Sequence, residues 1–203
     1  MKSVIAGYML FPNGNTWAPV SCSTSNCNNP NPKCQIVRAL LVHADQYAED
    51  AIDVQSKLMA LGTFAAADIW DANSLSPALA DLQPYDVVLA WSEGYLFKSA
   101  AQLGDVLAQY WDNGGAVVAA SGSLYSGQAL QGKFGTTANG YMLIDNTAAY
   151  DNSDDQLGNV LEPASPLMAG VYTLAATGAL KSTGAVVNGG VRSARRGASR
   201  AAA

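Results

Sequence analysis

His43 is the single histidine of the 203-residue chain, and Asp45 follows it two positions later. Both stand at the exit of an apolar run, Ile36-Val37-Arg38-Ala39-Leu40-Leu41-Val42. An imidazole beside a carboxylate is half of a nucleophilic site, and the other half is a hydroxyl or thiol within hydrogen-bond reach. Two further apolar runs end on suitable residues: Asp86-Val87-Val88-Leu89-Ala90-Trp91 leads into Ser92-Glu93-Gly94, and Ala116-Val117-Val118-Ala119-Ala120 leads into Ser121-Gly122-Ser123. If the three exits line one crevice, Ser121 or Ser123 supplies a nucleophile, His43 the base, and Glu93 or Asp45 the group that orients the base. Ser121, His43 and Glu93 form the preferred catalytic set, on the expectation that the first and fourth strands are neighbours. The chemistry would be hydrolysis of an ester or glycan substituent. Ala119, Ala120 and Gly122 do not build Gly-x-Ser-x-Gly around Ser121, so the nucleophile-elbow signature is missing. A non-catalytic module is therefore the leading reading and a serine hydrolase the alternative.

The same exits are rich in groups that hold small polar ligands. Asp45, Trp91, Ser92, Gly122, Ser123 and Tyr125 are candidate ligand contacts, with Tyr95 and Phe97 beside them. Aromatic faces next to Asp and Asn suit a carbohydrate, although packing in the core accounts for such aromatics first. Further on, Asp151, Asp154 and Asp155 gather three carboxylates in a polar stretch. Hard cations take six to eight oxygens, so calcium is a second reading of that stretch behind a solvated acidic loop, and EF-hand spacing is lacking. The run Ser121-Gly122-Ser123-Leu124-Tyr125-Ser126-Gly127 is neither a Walker loop nor a dinucleotide fingerprint. No cofactor is expected.

Strands must position these residues, and the pattern supplies them. After the first run, residues 49–61 carry Ala51, Val54, Leu58 and Leu61 at helical spacing, and Gly62 is a natural stop. A second strand is predicted over 64–70, a short helix opening at Ser76-Pro77, and a third strand over 86–91. Ser99 caps a helix with the stripe Leu103, Val106, Leu107, Tyr110 and Trp111, which Asn113-Gly114-Gly115 ends before the fourth strand. Short buried strands alternating with helices predict an α/β fold, a flavodoxin-like three-layer sandwich with a mostly parallel central sheet. Ligands bind outside the carboxyl ends of such strands. Beyond Gly122 the pattern weakens, with strands expected over 141–144, 171–175 and 185–191.

A resemblance lies on this background. The helix ending Tyr110-Trp111-Asp112-Asn113-Gly114-Gly115, the strand after it and the turn Ser121-Gly122-Ser123 are similar to the strand-to-elbow stretch of class I glutamine-amidotransferase-like proteins. Glu162-Pro163-Ala164-Ser165-Pro166-Leu167-Met168-Ala169-Gly170-Val171 resembles the His-Pro-Ile-x-x-Gly stretch of the trehalose-utilisation, ThuA-like branch. The similarity covers roughly residues 36–175. It implies a flavodoxin-like domain with a nucleophilic cysteine at the elbow and a histidine late in the chain. Here Ser121 stands at the elbow and Ser165 precedes Pro166, so the resemblance does not carry amidotransferase activity with it.

Charge and cysteine usage set the surroundings. Asp, Glu, Lys and Arg make up 13% of the chain, about half the ordinary share. All 16 acidic residues precede residue 163, and only seven basic ones precede Arg192, a balance of −9. Such a body excludes a nucleic-acid surface, which needs clustered Lys and Arg. No apolar run reaches the length of a spanning helix. Cys22, Cys27 and Cys34 lie in an Asn-, Ser- and Pro-rich segment without a nearby histidine, which fits a small disulfide loop, Cys22 with Cys27 or Cys34, better than zinc. Export follows from this usage, to the secreted, periplasmic or cell-surface space, although no signal peptide is legible. The expected organisation is an irregular N-terminal segment over 1–34, the α/β domain over 35–190 and a basic disordered tail over 191–203, the whole being part of a larger exported protein.

Overall fold

The structure, a computed structural model, describes residues 8–10, 37–152, 155–160, 175–176, 181–185, 187 and 194–197. Cys22, Cys27 and Cys34, and with them the expected disulfide, lie outside the described residues, as do Asp154 and the 162–171 stretch.

In chain order the main layer comprises β1 (Tyr8–Leu10), β2 (Val37–Asp45), α1 (Ala48–Ala60), β3 (Phe64–Asp71), α2 (Leu79–Leu82), β4 (Val87–Glu93), α3 (Ala100–Asp112), β5 (Ala116–Ser121) and α4 (Gly132–Gly135). Near-continuous apolar strands require cover on both faces. They receive it: residues 39–44 of β2 are all buried. Leu40, Val42, Val88, Ala90, Val117 and Ala119 face α2 and α3 through Leu82, Leu103, Leu107 and Tyr110. On the other face Leu41, Leu89, Trp91 and Ala120 pack with Ala51, Val54 and Leu58 of α1. The α/β three-layer expectation holds. Helix boundaries follow their local chemistry, since Ser99 Oγ accepts the Gln102 N–H at 3.2 Å and Gly62 and Gly114 carry φ of +69° and +95° after α1 and α3.

The sheet order is β1-β5-β4-β2-β3. Strands β2 to β5 are mutually parallel where they pair, and β1 adds antiparallel to β5. From β2 the chain moves outward to β3, then crosses back to β4 and on to β5. Strand order thus reverses between β2 and β4, the place where a doubly wound sheet opens its ligand crevice.

Several details depart from the sequence reading. The N-terminal segment is not wholly irregular, because Tyr8–Leu10 supplies the edge strand on β5. The second helix begins at Leu79 rather than Ser76, with the Asp81 carboxylate accepting the Ala78 N–H at 2.8 Å. Residues 141–144 form no extended strand; Asp145 N–H donates to Ala185 O and Val187 N–H to Leu143 O. Smaller pairings follow: β6 (Tyr150–Asp151), β7 (Asp155–Val160), β8 (Ala175–Ala176), β9 (Lys181–Ser182) and β10 (Ala194–Gly197). The last of these lies within the basic tail and pairs antiparallel with β7. Backbone N–H and C=O groups suffice for such a strand, so Ala-Arg-Arg-Gly shows no apolar signal beforehand.

Candidate functional site at the carboxyl edge of the sheet

Register brings five of the expected residues, His43, Asp45, Trp91, Ser92 and Glu93, to one edge. Along β2 and β4, His43 pairs with Trp91, Ala44 with Ser92 and Asp45 with Glu93. On the other side of β2, His43 pairs with Asp71, the last residue of β3. Paired residues of parallel strands share a face, so Asp71, His43 and Trp91 form a row, with Asp45 and Glu93 one step nearer the loops.

His43 is 5% exposed, and its ring stacks on Trp91 with centroids 5.4 Å apart and planes inclined by 26°. Its Nδ1 accepts the Asp45 N–H at 3.3 Å. Asp45 in turn is held at both oxygens: Oδ1 accepts the Tyr47 N–H at 3.0 Å and Oδ2 the Trp91 Nε1–H at 3.1 Å. Burial pulls the His43 pKa below 6.5, against the opposing pull of Asp71 and Asp45. A neutral ring with Nδ1 accepting carries its proton on Nε2. Burial also raises the Asp71 carboxyl, but the Ser74 hydroxyl at 2.5 Å, the Asn73 and Ser74 N–H groups and His43 together hold it below its ordinary value. Asp50, in the first turn of α1, is pushed up by burial and then by Asp45.

The depressed His43 pKa has a measurable consequence. Below about pH 6.5 the unfolded chain takes up a proton at this position that the folded chain refuses, so acidification favours unfolding until the folded pKa is passed. Melting temperature should fall between pH 7 and pH 5, and part of that fall should vanish in His43→Phe. An equal acid loss in that variant would exclude His43 as its source.

The hydroxyl candidates are arranged differently. Ser121 ends β5 and pairs with Ser92 on β4, which places a whole strand between it and β2. The first and fourth strands of the parallel set are not neighbours, so Ser121 and His43 are not brought together. Ser92 is fully buried and donates its hydroxyl to Gln128 O at 3.1 Å. Ser123, also fully buried, reaches Ala90 O at 3.1 Å and Ala120 O. Gly122 lets this turn lie against β4, for a Cβ there would stand 2.5 Å from Ser92 O and 2.6 Å from Ser92 Oγ. Trp91, Phe97 and Tyr125 are core residues, whereas Tyr95 remains 50% exposed.

Two residues of the edge were not singled out by sequence reasoning. Asp71 was available from the same strand-exit rule that selected His43 and Glu93, and Tyr47, 53% exposed, directly follows the Asp45 turn. Their signal was position after a strand, not residue type. Of the acidic trio, Asp151 lies on β6 opposite Lys181 and Asp155 opens β7. Among the described residues no group of three or more His, Cys, Asp or Glu is placed to hold a metal ion, and no helix is long and apolar enough to cross a membrane.

Comparison with protein-family models, curated proteins and solved structures yields no match to this chain.

Proposed function

We propose that this chain is an amidotransferase-like α/β domain of the ThuA-like kind that works without catalysis, as a binding or structural module of a larger exported protein. Its ligand, a carbohydrate or another small polar molecule, sits at the carboxyl edge around Asp45 and Glu93. The observation that carries this reading is the position of β4 between His43 and Ser121. Strands are spaced by about 4.8 Å, so residues two strands apart have backbones nearly 10 Å apart. Proton transfer requires a base within about 3 Å, or one intervening water. The other two hydroxyls, Ser92 and Ser123, already donate to backbone carbonyls. What remains at the edge is a set of polar groups held by hydrogen bonds, Asp45 and Asp71 among them, which suits binding.

A fluorophosphonate probe tests this directly. The native chain should label no more than the heat-denatured chain. Labelling of the native chain that disappears in Ser121→Ala would overturn the inert reading and restore the hydrolase with Ser121, His43 and Glu93.

A further inference from the structure

The outer strand of a sheet presents unpaired N–H and C=O groups, which invite a further strand. β3 is the outer strand of the main sheet, and among the described residues no strand pairs with its far side. Just past it, the Ala72 N–H donates inward to His43 O at 2.7 Å. Backbone direction alternates along a strand, so Ala67 and Ile69 turn their N–H and C=O groups outward. The Gln55 side-chain amide reaches that same side, donating from α1 to Ala67 O. A carbonyl oxygen has two lone pairs, so Ala67 O keeps a place for a second donor. Residues 64–71 contain no proline and no lysine, two of the devices that protect such an edge.

Gln55 also identifies the flank of α1 that overhangs the edge. Ala51, Val54 and Leu58 face the sheet. Ala48, Ile52, Gln55, Ser56 and Met59 lie one step round the helix, at three- and four-residue spacings. Ile52 is 54% exposed and Met59 41%. None of these five side chains is charged. In an acidic chain, self-repulsion opposes the approach of a second copy, and a neutral strip is where that opposition is least.

We propose that this edge is an interface between two copies of the chain, with β3 antiparallel to β3 of the second copy about a two-fold axis at Ala67. A two-fold interface needs a patch that complements itself, and this one does. Gln55 marks the level of Ala67, with Ile52 three residues before it and Met59 four after. The axis therefore brings Ile52 of one copy to Met59 of the other. Asp68 then faces Ala66, and Asp71 faces Thr63, so no carboxylate opposes another. Moving the axis by one residue would set Asp68 directly against Asp68, a destabilising pair. α1 packs over β2 and β3. With strands about 4.8 Å apart, the two copies of α1 come to lie about 10 Å from each other, a packing distance for helices.

Sedimentation of the full-length protein over a range of concentrations should show a mass rising from 21.0 kDa toward twice that value. Amide hydrogen exchange followed by NMR should find Ala67 and Ile69 protected where the pair forms and unprotected where it dissociates. Ile52→Lys and Met59→Glu lie at exposed positions, and an unchanged circular-dichroism spectrum checks that each variant folds. Either substitution enters the interface twice and alone should weaken association about tenfold or more. Combined in one chain, they set an ammonium against a carboxylate across the axis and should restore most of the association. A mass of 21.0 kDa at every concentration overturns the proposal. Protection of Ala67 and Ile69 in that single chain would then show that another segment of the same chain covers the edge. Association that both single variants retain in full, that the combined variant fails to regain, or that leaves the two amides exchanging freely also overturns it.

Discussion

Phe134→Ala is expected to destabilise the protein by about 3–5 kcal/mol, the range for deleting a buried phenyl ring. Phe134 is fully buried in the same cluster as Leu103, Leu107, Leu130 and Met142, and its ring lies 5.6 Å from that of Tyr141. It sits on α4, a helix of four residues with no side-chain N-cap bond. A helix that short has negligible stability of its own. Packing of Phe134 is therefore what seats α4 on α3, assisted by the buried Asn146, whose Nδ2 donates to Leu130 O and Gly135 O at 3.0 Å each. The loss should also loosen the 122–135 connection, which contains Gln128, the acceptor for Ser92. Urea unfolding followed by circular dichroism measures it. A change below about 1 kcal/mol, less than the cost of removing two buried methylenes, would mean that α4 is not anchored through this ring.

Gly104→Ala should destabilise by about 2 kcal/mol although it lies in the middle of α3, where propensity alone favours alanine by about 1 kcal/mol. A Cβ on Gly104 would run into the carbonyl of Gln131. That carbonyl has little freedom to withdraw, because the same loop is clamped to α3 by Gln131 N–H to Ala100 O at 3.3 Å and Lys133 N–H to Asp105 Oδ1 at 2.7 Å. Overpacking against a held backbone costs about 1–3 kcal/mol, occasionally more. The upper end of that range is appropriate where the obstacle is a main-chain oxygen rather than a flexible side chain. In a chain of this length the melting temperature should fall by roughly 4–8 °C. A rise instead of a fall would show that helix propensity outweighs the contact and that the loop does not press on α3.

Both substitutions act at a distance from the crevice but on the elements that shape it. Gly122 and Gln128 belong to the connection held by Phe134 and Gly104, and they close the edge beside Ser92. Binding at this edge should weaken in either variant together with stability.

Much of this architecture is legible along the chain. The apolar runs became β2, β3, β4 and β5, and the stripe Leu103, Val106, Leu107 and Tyr110 became the buried face of α3. Ser99 capped that helix as its residue type requires. These features depend on local periodicity and on groups a few residues apart, which one sequence displays. The short strands β1 and β10 were not legible, because three or four residues added through backbone bonds leave no period to detect. Asp71 was overlooked since its surroundings, an Asp-Ala-Asn turn, have the composition of an ordinary loop.

By itself the sequence determined an acidic α/β body, the exits where chemistry had to gather, and the candidates His43, Asp45, Ser92, Glu93 and Ser121. Only the tertiary structure decided which candidates meet. Four similar apolar runs carry no local information about which becomes whose neighbour, since strand pairing is a contest among long-range contacts of nearly equal hydrophobic gain. Once β4 settled between β2 and β5, Ser121 was parted from His43, and the imidazole was laid against Trp91 between Asp71 and Asp45.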